Sequence, residues 1–480
     1  MRRLLSTSLA LAAALLAGCI DLAPAYHRPP EPTPATFPTG PAYAAPVIGS
    51  QPVVGWQDFF SDPRLKAVIG QALASNRDLR EAVANIAAAR AQYTVQRAAL
   101  FPTVNAQASG QYGQEPTSVL TENPRARGET TLQLYSLTAN VSAWQLDLFG
   151  KIRNLTKAAQ IQYFASRQAR DAAQITVVSE VASDYLAVGA DRALLKIAED
   201  TLKSGTDSLT VTQHRFAIGV DNQLDVSQAE TVVQQARFDV ARLTTQVAQD
   251  RNALDLAVGS PVAADELPDN VVQRVVVLDR LPAAVDSTVL LQRPDVLQAE
   301  DQLRAANADI GAARANFFPD ISLTGQGGLT SVALSALFRG ASSAWSFAPT
   351  ITQTIFDAGA NRGNLNLAKA QRDLEVATYE KAIQTAFREV ADALAQRGTI
   401  DEQLAAQQAL TDASATALKI STARYNQGSD TYLNVLIAQR SLYAAQQTLV
   451  AAQLAKSTNL VTLYAALGGG LNAPTEAPAH

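Results

Sequence analysis

Between Thr103 and Tyr112 the chain alternates. Val104, Ala106, Ala108, Gly110 and Tyr112 are apolar or lightly amphipathic, while Thr103, Asn105, Gln107, Ser109 and Gln111 are polar. A period of two predicts a strand with one apolar and one polar face. Leu137, Ala139, Val141 and Ala143 alternate in the same way with Ser136, Thr138, Asn140 and Ser142. Later in the chain come Ile321, Leu323 and Gly325, and then Thr350, Thr352 and Thr354. These runs predict four strands, at about 103–113, 133–147, 320–330 and 345–356. Elsewhere the period is helical, over 62–100, 151–218 and 224–258. Ile175, Val178, Ala182, Tyr185 and Gly189 fall on one face at alternating spacings of three and four, a stripe repeated by Phe387, Ala391, Leu394 and Gly398.

The recurrence of that stripe is part of a duplication. Arg97-Ala98-Ala99-Leu100-Phe101-Pro102 returns as Arg314-Ala315-Asn316-Phe317-Phe318-Pro319, in an alignment that also matches Asp78 with Asp295. A second constant offset pairs Gly150, Arg153 and Glu180-Val181-Ala182 with Gly359, Arg362 and Glu389-Val390-Ala391. It continues through Arg215, Gly219, Leu224 and Gly259, matched by Arg424, Gly428, Leu433 and Gly468. Arg and Gly held in register that long indicate two structural repeats, each a helix, strand, strand, helix, helix unit. They span 56–270 and 280–470, with a tail over 471–480 expected to be flexible.

Composition adds a compartment. Of 480 residues 47% are hydrophobic and only 17% charged, which excludes a disordered chain. Met1 to Gly18 has a basic start at Arg2 and Arg3 and an apolar stretch too short to span a bilayer, the form of a secretory signal peptide. The single cysteine ends Leu16-Ala17-Gly18-Cys19, which resembles a bacterial lipobox, so Cys19 is expected to be the lipidated mature N-terminus. Ile20 in the next position directs such a lipoprotein to the outer membrane, although Asp21 follows. Residues 19–55 form a Pro-rich arm, expected to be extended rather than packed. Loss of residues 1–18 leaves 37 basic residues against 44 acidic, a net charge of −7 that offers nothing to nucleic acid. Three scattered His residues make no metal set, and no cofactor is expected beyond the lipid on Cys19.

Length arithmetic then constrains the architecture. At helical rise, 151–218 would reach about 100 Å, and 62–100 with 224–258 together come to a similar length. One long helix therefore matches two shorter ones stacked end to end. No mature segment is apolar enough for a spanning helix, so crossing a bilayer requires a closed β-barrel. Four strands cannot close one around a pore. Several chains must contribute, because open edges in lipid leave backbone groups unpaired.

The motifs carry a resemblance. Tyr26-His27-Arg28-Pro29, Trp56-Gln57-Asp58-Phe59-Phe60-Ser61-Asp62-Pro63, Leu146-Asp147-Leu148-Phe149-Gly150-Lys151-Ile152-Arg153, Arg293-Pro294-Asp295-Val296 and Phe318-Pro319-Asp320-Ile321-Ser322-Leu323 occur in this order. With the lipobox, they make the chain similar to the TolC-type outer membrane factors, in the lipoprotein branch typified by OprM and often labelled NodT-like. That resemblance implies a mixed, mainly α fold: a homotrimer sharing a twelve-stranded outer-membrane β-barrel above a long periplasmic α-helical barrel. It further implies an exit channel for small molecules in the outer membrane of a Gram-negative bacterium. Its partners would be a periplasmic membrane-fusion adaptor and an inner-membrane transporter of the resistance-nodulation-division class. No catalysis is implied.

The family's gate and adaptor contacts lie at hairpin tips. The matching residues here are Arg215, Phe216, Gly219, Asp221, Leu224 and Asp225 in the first tip, and Arg424, Tyr425, Gly428, Asp430, Leu433 and Asn434 in the second. Gly219 and Gly428 suit helix ends that reverse through a left-handed residue, and a well-made turn alone would also account for them and for Leu224. Leu433 is a candidate apolar constriction and Asp430 a candidate carboxylate ring. Where the family carries acidic residues three apart beyond the second turn, this sequence has Asn434 and Ile437.

Trp144, Trp345 and Phe347 are candidates for an interfacial aromatic girdle, with core packing as the alternative. Trp56 and Phe59 are expected to pack the arm, and Arg192, Lys196 and Glu199 to be solvated. Two rival functions remain. A periplasmic coiled-coil adaptor or scaffold is disfavoured by the four alternating strands, and a type I protein-secretion duct would share the fold. An enzyme finds no nucleophile elbow, phosphate loop or metal cluster.

Overall fold

The computed structural model describes residues 20–43, 55–116, 127–271, 286–340 and 342–470. The expected signal segment over 1–18, Cys19 and the tail 471–480 lie outside the described residues. In chain order the elements are α1 (Trp56–Phe59), α2 (Pro63–Ser75), α3 (Arg77–Ala98), β1 (Val104–Pro116), β2 (Glu129–Leu146), α4 (Lys151–Ala217) and α5 (Gln223–Val258). A 3-10 turn (Ser287–Gln292) precedes α6 (Pro294–Ala315), β3 (Asp320–Ser331) and β4 (Ser343–Thr352). Last come α7 (Ala360–Asn426) and α8 (Tyr432–Ala466). The long helices α4 and α7 each have 67 residues. No helix among the described residues is long and apolar enough to cross a membrane.

The chain divides into two compact units. The first holds the chain up to Pro29 with Ala87–Ala165 and Glu300–Thr378. Its sheet has four antiparallel strands in the order β1-β2-β3-β4. Register aligns Val104, Val141, Gly325 and Phe347 across one face, and Ala106, Ala139, Gly327 and Trp345 beside them. Ser136, Thr138, Asn140, Ser322 and Thr324 lie on the other face, as the period of two requires. Ala143 does not continue the apolar series. A bulge between Val141 and Trp144 inserts a residue, with Ala143 at φ 48°, and Trp144 instead of Ala143 pairs with Leu323. The inserted residue keeps Trp144 and Leu146 on the apolar face below the bulge. Trp144 also donates its indole N–H to the Leu100 carbonyl at 3.3 Å. Trp345 and Phe347 are exposed, at 83% and 61%.

The N-terminal arm of this unit is docked on α6. Buried Glu300 accepts hydrogen bonds from the Tyr26 hydroxyl (3.1 Å), from Arg28 Nη2 (2.6 Å) and from Arg304 Nη2 (2.6 Å). Asn307 Nδ2 and Arg314 Nη1 donate to the carbonyls of Pro24 and Leu22, at 2.8 and 3.0 Å. These side chains satisfy an irregular backbone that has no ladder of its own.

The second unit holds Pro30–Ile86, Ser166–Ala299 and the chain from Tyr379 onward. Its main core gathers Phe59, Phe60, Leu65, Ile69, Val181, Tyr185, Leu254, Val258, Leu460 and Tyr464. Trp56 packs against that core and Phe59 is within it. The helical period over 62–100 is interrupted at Asn76. This residue leaves the helical conformation, and its Oδ1 accepts from the Leu79 N–H at 2.9 Å, starting α3 afresh. The described part of the Pro-rich stretch is fastened: Thr36 bridges to Asp286, and Phe37 is buried, its ring stacked on Phe387 at 4.9 Å. An aromatic side chain in such a stretch gains enough from burial to fasten it.

Candidate functional site at the helical hairpin tips

Both hairpins of the second unit turn by the same mechanism. At the end of α4, Gly219 takes φ 79° and the Val220 N–H reaches back to the Arg215 carbonyl at 2.8 Å. At the end of α7, Gly428 takes φ 75° and the Ser429 N–H reaches the Arg424 carbonyl at 2.9 Å. Each is a left-handed helix stop whose six-to-one bond satisfies a terminal carbonyl, and a Cβ at either position would strain the turn. The next helix starts differently in each. Asn222 and Asp225 form a reciprocal capping box on α5, at 3.0 and 3.3 Å, whereas Thr431 gives α8 no side-chain cap. Asp225 is thereby committed to the start of α5.

An arginine and an aspartate clasp each turn. Arg215 Nε bonds Asp221 Oδ2 at 3.0 Å, and Arg424 Nε bonds Asp430 Oδ2 at 3.2 Å. The environments diverge from there. The first pair is largely buried, because Tyr425 from the second hairpin lies on it: the Tyr425 hydroxyl donates to Asp221 Oδ2, and the Arg215 guanidinium sits 4.5 Å from the Tyr425 ring centre. Thr212 Oγ1 is 3.3 Å from the same hydroxyl. Burial, then the Asp221 carboxylate, pushes the Tyr425 phenol up from its ordinary range. The second pair faces outward. Asp430 Oδ1 accepts from Asn434 Nδ2 at 2.6 Å and from the Thr431 N–H at 2.8 Å, bonds that hold its carboxyl below the usual range.

Beneath the turns Tyr425 and Tyr432 meet edge to face at 5.5 Å, in an apolar cluster with Ala229, Val232, Val435 and Leu436. Phe216, the repeat counterpart of Tyr425, is 43% exposed, and Leu224 and Leu433 are exposed at 63% and 48%. The structure thus brings Arg215, Asp221 and Tyr425 together, keeps Arg424, Asp430 and Asn434 as a separate outward cluster, and leaves Phe216, Leu224 and Leu433 uncovered. Sequence reasoning passed over Thr212 and gave Tyr432, within the second tip, no role of its own. Tyr432 had a signal, since it replaces Gln223 where the two tips are aligned. No group of three or more His, Cys, Asp or Glu side chains among the described residues is arranged to hold a metal ion.

A duplicated subunit with two equal long helices, two reversed tips and a four-stranded antiparallel sheet has the TolC-like fold. The sequence pattern of outer membrane efflux proteins matches residues 68–260 and again 286–469, and the chain belongs to that family. It is 44% identical over 468 residues to the probable efflux pump outer membrane protein TtgC of Pseudomonas putida, covering 96% of this chain and 95% of the relative. Among solved structures, a membrane protein from Pseudomonas aeruginosa superposes with a TM-score of 0.87 at 40% identity, covering 94% of this chain and 98% of the other. The open state of the MtrE outer membrane channel of Neisseria gonorrhoeae does so with a TM-score of 0.84 at 36% identity, again covering 94% and 98%.

Proposed function

We propose that the protein is the outer-membrane exit channel of a tripartite efflux pump, carrying small toxic compounds out of the cell and performing no chemistry of its own. The observation that carries this is the sheet. Its strands of 13, 18, 12 and 10 residues are long enough to cross a bilayer, one face is apolar from the level of Val104 to that of Tyr112, and β1 and β4 each have an unpaired edge. Pairing β1 of one copy with β4 of the next closes the edges, and three copies give a twelve-stranded barrel. Acylation of Cys19 would add a lipid anchor. A periplasmic adaptor and an inner-membrane transporter of the resistance-nodulation-division class would complete the pump, with energy supplied by the transporter.

The hairpin tips are the gate in this reading. The Arg215, Asp221 and Tyr425 cluster ties one hairpin to the other, so the channel rests closed until an adaptor bound at the exposed Phe216, Leu224 and Leu433 pulls the hairpins apart. Imaging of the detergent-extracted mature protein tests the assembly. A hollow three-fold particle supports the channel, and a compact monomer would sink it.

A further inference from the structure

The polarity of the β1–β2 hairpin reverses towards its far end. Up to Tyr135 the apolar face carries Val141, Ala139, Leu137 and Tyr135, opposite Val104, Ala106, Ala108 and Gly110. Tyr112 and Tyr135 close that band, ring against ring at 5.7 Å with their hydroxyls 3.0 Å apart. Beyond them the same face turns polar: Gln133, Thr131 and Gln114 follow, and Gln114 Nε2 donates to Glu129 at 2.6 Å. The other face, polar from Asn140 to Ser136, continues with Leu134 and Leu132, opposite Gln111 and Gly113 and exposed at 42% and 40%.

This reversal coincides with a change in pairing. β3 meets β2 only as far as the pair Tyr135 and Ser331, so residues 129–134 pair with β1 alone. Six residues of strand carry the two-stranded ribbon about 20 Å past its neighbour. A free ribbon twists and bends more readily than a sheet. In water, a ribbon with a polar outer face and two leucines on its inner face is driven to bury the leucines.

We propose that Leu132 and Leu134 face the channel axis above the bilayer and pack against the same residues of the neighbouring copies, forming an apolar collar at the outer mouth. The occupant is a second copy of this chain, because Leu132 and Leu134 lie on the face that continues the polar lumen side, and the lipid-side face has already turned polar at that height. Such a collar disfavours water and ions while admitting apolar cargo, giving the exit a chemical preference separate from the periplasmic tips. The inference rests on the multi-chain barrel of the proposed function.

Thiol cross-linking separates the two. The chain's one cysteine is Cys19, whose thiol the expected acylation blocks, so Leu134→Cys introduces a defined thiol and the unmodified protein serves as the blank. Leu137→Cys, on the opposite face, is the control, and Leu132→Cys is a second probe should Leu134→Cys assemble poorly. Intact cells are treated with a short bis-maleimide, and the native oligomer is checked by gel filtration. Covalent dimers from the 134 or 132 thiol, with none from 137, support the collar. A normal trimer whose 134 and 132 thiols stay uncrosslinked and are reached only by a lipid-dissolved maleimide would assign these leucines to the bilayer and overturn the collar while leaving the channel intact. Absence of a trimer in the unmodified protein overturns both.

Discussion

Asn76 and Arg293 occupy matching positions in the two repeats and bind matching carbonyls. Asn76 Nδ2 donates to the Ala257 carbonyl at 2.7 Å, and Arg293 Nη1 donates to the Ala466 carbonyl, also at 2.7 Å. Each stands immediately before a helix, α3 or α6, and fastens it to the last turn of the repeat's second hairpin helix. Arg293 does more than Asn76. It is largely buried, and its guanidinium also reaches Asp295 at 2.7 Å and Glu389 at 2.8 Å.

That difference sets the first prediction. Arg293→Ala strands a helix-end carbonyl and removes the cation between two carboxylates that solvent partly screens, with an expected cost of about 2–4 kcal/mol. Asn76→Ala loses one cap and one buried hydrogen bond, costing about 1–3 kcal/mol. Urea titration of the detergent-extracted proteins checks the order. Equal losses would mean that the carboxylate contacts of Arg293 contribute nothing.

Cutting the link between the tips should loosen the gate. Tyr425→Phe deletes the hydroxyl that donates to Asp221 but keeps the ring under Arg215. Asp221→Ala removes the shared acceptor and leaves a largely buried Arg215 unpaired. Single-channel conductance in a planar bilayer should rise in both, more in Asp221→Ala, whereas Asp430→Ala should change it less because that cluster faces outward.

The helical unit should lose stability as pH rises through neutrality. Burial pushes Asp191 up to about 7, reinforced by its hydrogen bond with Asp250 and offset partly by Arg242. Burial likewise pushes Asp184 up to about 6, with Glu180 and Asp250 adding to it. An acid whose pKa is raised by folding favours the folded state while protonated, so its contribution is present below its unfolded pKa and is lost as pH passes the folded value. Melting temperature should therefore be higher near about pH 5 than near about pH 8. Asp191→Asn should flatten the slope, and an unchanged slope would assign the pH dependence to other groups.

The two faces of the sheet should tolerate charge differently. Leu137→Arg puts a cation on the lipid-side face midway along the apolar band between Val141 and Tyr112, and is expected to cost about 2–4 kcal/mol. Thr138→Arg, one residue away and on the opposite face, should insert normally. Heat-modifiable mobility of the trimer on a gel reports both.

Cys19→Ser should abolish labelling by radioactive palmitate yet leave a trimer, because strand pairing alone can hold the chain in the bilayer. Loss of the trimer in that variant would make the anchor an assembly requirement.

The periodicities and the duplication were legible because local burial imposes them residue by residue. The bulge at Ser142 and Ala143 was not, since its effect is to put Trp144 opposite Leu323, a partner far along the chain. The break at Asn76 was hidden for a related reason: the apolar spacing runs on across it, while its cap and its bond to Ala257 depend on a distant helix end. At the tips, repeat alignment picks out Arg215 with Arg424 and Asp221 with Asp430 as equivalents. It cannot tell that Tyr425 covers only the first pair, because that asymmetry arises where two unlike copies meet.

The matched span of α4 and α7 makes each helix a ruler for the other. A single extra turn on the tip side of one helix would carry its tip about 5.4 Å along the axis, enough to part Asp221 from Tyr425. During descent the pair can therefore lengthen or shorten only together, so that two distant stretches of the gene share one constraint on insertions.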